Sequence, residues 1–209
     1  MLFLNFNLSQ MIVWAVTFFI AITVHEFAHG WAAYKLGDDT AERYGRLTLN
    51  PLKHIDLMGL LMLLFAGIGW AKPVPVNPYN LRNPKTDMAL ISAAGPAANF
   101  ALAILLAILI RFILFPMNLV SLGAFLVLGI QLNIMLGLFN LVPIPPLDGS
   151  KILGSLLPDN LYYHWTNLER YGPILIIILV FSGRSGNFSI FQKLVLEPAM
   201  RFTAFLLGG

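Results

Sequence analysis

The sequence predicts an all-α polytopic membrane protein: a helical bundle of about four to six membrane segments, with a small β or re-entrant element between its first two long spans. Three observations carry this reading. Hydrophobic residues make up 58% of the 209 and charged residues only 11%, at a mean hydropathy of +0.77, a balance that soluble domains do not show. The apolar residues fall in runs long enough to cross a bilayer. The basic residues gather in the connections beside those runs, so the net charge of +3 reflects topology and implies no nucleic-acid partner. With no cysteine in the chain, a disulfide framework and a thiolate metal site are both excluded.

Taken in order, the first ten residues contain no Lys or Arg and no cleavage-site pattern, so a removed signal peptide is not expected. The first long apolar segment runs from about Met11 to Leu36, with Gly37 as its expected C-terminal cap. A twelve-residue apolar segment, Leu57 to Ile68, is too short to cross and has basic residues on both sides, which makes it re-entrant or interfacial. Around it, Arg43 to Asn50 alternates in polarity, and Pro73-Val-Pro-Val-Asn77 has proline at every other position, a pattern that belongs on a sheet edge. Such an edge could hold an extended partner chain.

Long spans are expected again over Met88 to Phe115 and Leu119 to Leu141, with a shorter apolar segment from Pro173 to Phe181. The stretch from Phe188 to Leu207 carries Gln192, Lys193, Glu197 and Arg201, and so reads as an amphipathic interfacial helix. One domain spanning 1–209 is expected, with its core over about 11–155 and peripheral C-terminal helices over about 172–207. Seven of the thirteen Lys and Arg residues lie between the first span and the one that starts at Met88, which places that region in the cytoplasm.

The chemistry sits inside the first span, as His25-Glu26-Phe27-Ala28-His29. At 3.6 residues per turn both histidines fall on one face a turn apart, where one cation can be reached by both imidazoles. Glu26 lies about 100° round the helix, a position that suits a base for water better than a third ligand. This is the H-E-x-x-H signature, for which zinc is the default metal, one ion per chain. From this chain's four His and four Glu, an accidental match has odds of about one in 700, and a charged residue at the bilayer centre costs about 2.5–3.5 kcal/mol, so accident is a poor explanation.

Such a site needs a third protein ligand and an open position. Asp148 is the candidate, because Pro143, Pro145 and Pro146 break a long apolar span just before it. Asn140, two helical turns before Asp148, is a candidate partner for a developing oxyanion, and helix–helix glue is its alternative role. His54 is a second candidate catalytic residue if the re-entrant region folds over the site; in another arrangement His54 is the ligand and Asp148 stands behind it. The Ala94-Gly-Pro-Ala-Ala-Asn99 element reads mainly as packing, with Asn99 able to bond across a helix interface. The first histidine lies about 18 Å from the end of its helix and the second about 12 Å, which puts the site in the cytoplasmic half of the bilayer.

The HEFAH pentapeptide, Ala94-Gly-Pro-Ala-Ala-Asn99 and Asn140-x-x-Pro-x-Pro-x-Leu-Asp-Gly149, in that order, resemble the site-2 proteases, the intramembrane zinc metalloproteases. The resemblance covers about residues 11–155, and the runs Asn50-Pro-Leu-Lys-His54 and Gly69 to Asn77 are similar to the compact branch of that family. It implies that His25, His29 and Asp148 bind zinc, that Glu26 activates water, and that the substrate is a transmembrane segment of another protein in the lipid bilayer. Two departures stand out: no helix precedes the HEFAH helix, and the connection between the Met88 and Leu119 spans is too short for a PDZ domain. A multi-pass protein of the cell membrane is expected. A hydrolase of a non-peptide substrate and a non-catalytic metal-binding membrane protein are the alternatives, and the presence of Glu26 argues against the second.

Overall fold

The computed structural model describes residues 8–66, 69–116, 120–182 and 189–209. The helix α1 (Leu8–Lys35) carries the HEFAH pentapeptide, and it stops where Gly37 takes a φ of +106°. There the Asp38 amide donates to Ala33 O at 2.9 Å, closing the last turn. A short α2 (Thr40–Arg43), α3 (Leu57–Ala66) and an extended segment over residues 71–77 lead to α4 (Pro84–Leu109), which runs on through a wider turn, Ile110–Leu114. Then follow α5 (Val120–Asn140), a proline loop, α6 (Asp148–Leu156), α7 (Asp159–Thr166), α8 (Gly172–Phe181) and α9 (Glu197–Leu207).

The segments Ser9–Lys35 and Pro84–Leu114 are long and apolar enough to cross a membrane. Their outward residues, such as Val16, Ile20, Leu105, Ile108 and Phe112, are exposed, as side chains facing lipid would be. Inside, α4 packs against α1, α5 and α6. Ala103 and Ala107 of α4 are small enough to let Ile130 and Ile134 of α5 bury completely beside them, with Ala199 of α9 on the same cluster. A second cluster seats Val142 and Leu147 of the proline loop against Leu179 of α8 and Val195. The C-terminal helices thereby brace the loop that delivers Asp148. On the other side of α6, Lys85 Nζ donates to Leu157 O and to Asp159 Oδ1 at 2.8 Å, and Trp165 Nε1 donates to Ser150 O at 2.8 Å. The Lys85 ammonium holds the exposed Asp159 carboxyl below the usual carboxylate range.

The expected β element is not found among the described residues. Arg43 to Asn50 begins at the end of α2, and Gly45 at a φ of +63° then turns the chain. Residues 71–77 are extended, but their sheet-like pairing is a single contact of Ile55 with Ala71, followed by the Lys72 amide on His54 O at 2.9 Å. Pro73 and Pro75 have no N–H, which strips donors from one edge of the segment, and on the edge that Lys72 begins the next amide, Val74, donates to Glu26 Oε2 at 2.8 Å and not to a strand. The short apolar segment is helical over Leu57–Ala66, while Gly67 and Ile68 lie outside the described residues, as does Phe188.

What holds the extended segment is Asp38, fully buried just past α1. Its carboxylate accepts from the Thr40 amide (3.1 Å) and hydroxyl (2.5 Å), the Asn77 amide (2.7 Å) and Asn80 Nδ2 (2.7 Å). Burial opposes ionisation, but these donors outweigh it and hold the carboxyl below its ordinary value of 3.8. The stabilisation is therefore complete above pH 3.8 and is lost as pH falls through the lowered folded value. Asp38→Asn should destabilise the protein by about 1–3 kcal/mol at pH 7, and the gap to wild type should close in strong acid. Thermal unfolding in detergent across this range checks it; a gap that widens in acid would contradict the assignment.

Candidate metal centre

Three side chains from two distant parts of the chain meet between α1, α4 and α6. His25 Nε2 and His29 Nε2 are 3.0 Å apart, and Asp148 Oδ2 lies 3.2 Å from the first and 3.3 Å from the second. The partners on the far sides of the rings decide what this triangle is. His25 Nδ1 faces Asn99 Oδ1 at 2.6 Å, and His29 Nδ1 faces Ile91 O at 2.7 Å. The Asn99 amide is oriented by its own donations, from Nδ2 to Ala21 O at 3.0 Å and to Asn133 Oδ1 at 2.8 Å. Asn133 is fixed in turn by giving its Nδ2 proton to Gly129 O at 2.8 Å. Both Nδ1 atoms therefore face acceptors and must carry the hydrogens, which leaves both Nε2 lone pairs bare and aimed at a carboxylate oxygen.

Three acceptors turned on one another repel unless a cation sits among them. Asp148 Oδ2 is buried with no hydrogen bond. Ligand atoms about 2.0–2.1 Å from a tetrahedral zinc stand about 3.3–3.4 Å apart, close to the separations here, and the donor set of two imidazoles and one carboxylate suits that ion. His25, His29 and Asp148 could thus hold one zinc, with a fourth position open to the adjoining cavity.

That cavity, of about 170 Å³, is walled in part by Glu26, Met88, Ser92, Asn140, Val76 and Lys151. Glu26 Oε2 accepts the Val74 amide at 2.8 Å, so the extended segment lies across the base. Asn140, at the C-terminal end of α5, donates Nδ2 to Leu136 O at 3.0 Å and has its other amide proton and its oxygen left for a ligand. The structure does not bring His54 to the cavity wall: it is fully buried, with Nε2 on Thr48 O at 2.9 Å. Gly95 packs so closely on the two imidazoles that an added Cβ would stand 2.5 Å from His29 Nε2 and 2.6 Å from His25 Cε1.

Sequence reasoning missed the contact of Gly95 with the rings, the Asn99 bond to His25, the Val74 amide and Lys151. An asparagine in an apolar span is a signal that a buried partner awaits it, but the partner's identity depends on the register of α4 against α1. No comparable signal exists for Val74, whose contribution is a backbone N–H.

The family described as "Peptidase family M50" matches over residues 115–179, the stretch that holds Asn140 and Asp148. Among curated proteins, "Putative zinc metalloprotease YwhC" of Bacillus subtilis (strain 168) is 42% identical over 183 residues, covering 85% of this chain and 84% of the relative. "Putative zinc metalloprotease Rip2" of Mycolicibacterium smegmatis is 32% identical over 77% of this chain and 63% of its own length. "Zinc metalloprotease MJ0392" of Methanocaldococcus jannaschii is 28% identical over 75% of this chain, which spans 38% of that longer protein. No solved structure matches the chain.

Two substitutions test the shell around the triangle. Asn99→Leu should weaken zinc binding about 10–100-fold, the usual cost of losing the partner that orients a ligating histidine. Gly95→Ala should displace the imidazoles and bind less zinc still. Competition with a chelator in detergent measures both; wild-type affinity in the two variants would mean that the rings do not meet the metal in this orientation.

Proposed function

The chain belongs to peptidase family M50 and is a zinc metalloprotease, and we propose that it cleaves transmembrane segments of other proteins within or near the bilayer plane. The observation that carries this reading is the convergence of three acceptor atoms, two of them from inside α1, a helix long and apolar enough to span a membrane, and the third from Asp148 at the start of α6. In this reading His25, His29 and Asp148 hold one zinc, in a single multi-pass transmembrane domain. Zinc bound there supplies Lewis acidity to a carbonyl and acidifies water.

The chain's own residues supply the remaining chemistry. Glu26 takes a proton from the attacking water and returns it to the leaving amine; the Val74 amide occupies its Oε2 and leaves the other oxygen to accept from water. Asn140, at the cavity wall, orients the scissile carbonyl or meets the oxyanion with its free amide proton. His54 takes no part, since its Nε2 is engaged by Thr48 away from the cavity. The substrate lies extended beside residues 74–76, where the Val76 amide makes no hydrogen bond among the described residues. The seven basic residues from Lys35, at the end of α1, to Lys85, in the first turn of α4, support a cytoplasmic position for this end of the bundle, and with it for the site. Family membership favours peptide over a non-peptide substrate, and Glu26 in the cavity wall favours an enzyme over a metal store.

Purified protein should cut a panel of single-span membrane peptides. Glu26→Gln should keep one zinc per chain and lose about 10²–10⁴-fold in rate, as the removal of a general base does. Asp148→Asn should lose zinc. Zinc bound at full occupancy in Asp148→Asn would remove Asp148 from the ligand set, and cleavage of soluble but not of membrane-spanning peptides would overturn the intramembrane reading.

A further inference from the structure

Among the buried charges outside the catalytic cavity that have no opposite charge beside them among the described residues, two grip one segment of backbone. One is Asp38, whose four donors are all neutral. The other is Arg46, 7% exposed, whose Nη2 donates to Lys72 O at 2.6 Å and to Pro73 O at 3.3 Å and whose Nε has no partner. An unpaired buried charge is costly, and a protein that keeps two of them a few residues apart has a use for what they hold.

Both hold the same strand of backbone, one at each end. Arg46, a donor only, takes carbonyls at residues 72 and 73; Asp38, an acceptor only, takes the amide of residue 77. From residue 72 to residue 77 the chain takes five steps, about 16 Å when extended. A sheet would ordinarily fix such a segment, but Pro73 and Pro75 strip one edge of donors and Glu26 takes the Val74 amide on the other, so side-chain charges do so instead. Charge-assisted hydrogen bonds are roughly twice as strong as neutral ones, and an Asn at 38 would turn its NH2 toward a donor that Asp38 now accepts from. In the middle of the stretched segment the Val74 amide meets Glu26 Oε2 at 2.8 Å.

We propose that Arg46 and Asp38 are positioning residues of the proteolytic reaction: they pull residues 72–77 taut from opposite ends so that the Val74 N–H holds Glu26 at the angle in which it meets water. Neither touches the substrate or the reacting atoms. The inference rests on Glu26 being the base, as proposed above, and it assigns a task to the alternating prolines. They leave Val74 and Val76 as the only amides in residues 73–76, and the bond to Glu26 is the one use of those amides among the described residues.

This arrangement makes a test that a merely structural role would not meet. Arg46→Gln, Arg46→Lys, Asp38→Asn and Val74→Pro are purified with wild type, and zinc content, kcat and KM on a membrane peptide, and deuterium exchange of the fragment 73–76 are measured. Val74→Pro removes the one donor and nothing else from the contact. Arg46→Gln and Asp38→Asn should keep one zinc per chain and an unchanged KM while kcat falls about 10²-fold, the loss that misplacing a group by about 1 Å brings. Arg46→Lys, which keeps the charge without the fork, should fall between. Arg46→Gln combined with Val74→Pro should be no slower than Val74→Pro alone, because the first acts through the second.

Exchange in the fragment should be about tenfold faster in Arg46→Gln than in wild type, the equivalent of one hydrogen bond to a charged group. Losses that multiply in the double variant, unchanged exchange and kcat in Arg46→Gln, or a fall in kcat that only tracks lost zinc would each overturn the proposal. If Val74→Pro does not fold, the exchange rates of Arg46→Gln and Asp38→Asn decide. Should wild type cut no membrane peptide, the functional reading fails by itself, and the exchange result still tells whether the two charges hold the segment.

Discussion

The constraint on which the rest of the structure depends is the convergence of three hydrogen-bond acceptors with no donor among them. His25 Nε2, His29 Nε2 and Asp148 Oδ2 lie 3.0–3.3 Å from one another in an apolar bundle where no water shell can relax them. Such a cluster is unfavourable until a cation fills it, so every element around it must be held in place by something else. The asparagine relay from His25 through Asn99 and Asn133 to Gly129 O crosses from α1 to α4 to α5, and each amide is used in a direction that leaves the lone pairs pointing inward. On the Asp148 side the work is done by packing. Val142 and Leu147 are seated against α8 and Val195, and Lys85 and Trp165 fasten α6 and α7 from the other flank.

In the proposed reading the same logic separates the residues that would hold zinc from Glu26, which would handle protons. The histidines are fixed by neutral partners on two membrane-length helices, a rigid frame. Glu26 shares their helix, but its carboxylate is met by a backbone amide from an irregular segment, and that segment is tied down by charges. A base must accept and release a proton during turnover, and a backbone N–H donates to a carboxylate without competing for that proton. A lysine or arginine in the same place would pair with Glu26 and lower its basicity.

Much of this was legible in the sequence where the signal is local. The spacing of His25 and His29 on one face, the apolar runs and the basic connections follow from periodicity and composition, and the proline break before Asp148 marks where a span ends in a buried carboxylate. The Gly37 cap was also legible, because a helix stop at positive φ favours glycine. What the sequence did not reveal depends on how helices register against each other. Asn99 and Gly95 lie one turn apart on α4, and only the placement of that face on α1 makes one a hydrogen-bond partner of His25 and the other a gap filled by two rings. The expected strand over Arg43 to Asn50 failed for a local reason instead: Gly45 turns the chain after α2, and alternation of polarity on its own does not register a residue at positive φ.

The extended segment also bears on what kind of substrate conformation the site can accept. In the proposed reading a transmembrane substrate enters as a helix, whose peptide groups are paired internally, and a bond in that state is shielded from attack. Unwinding it in a medium without water leaves amides and carbonyls unpaired at several kcal/mol each. In that reading the substrate meets Asn140 and Glu26, in the wall of the cavity, as a single extended strand. On the same reading the edge at residues 74–76 offers the strand its carbonyls and the Val76 amide, which makes no hydrogen bond among the described residues, and this offsets part of the cost of unwinding at the place where it falls. Substrates whose spans contain helix-weakening residues near the cut would then need the least compensation.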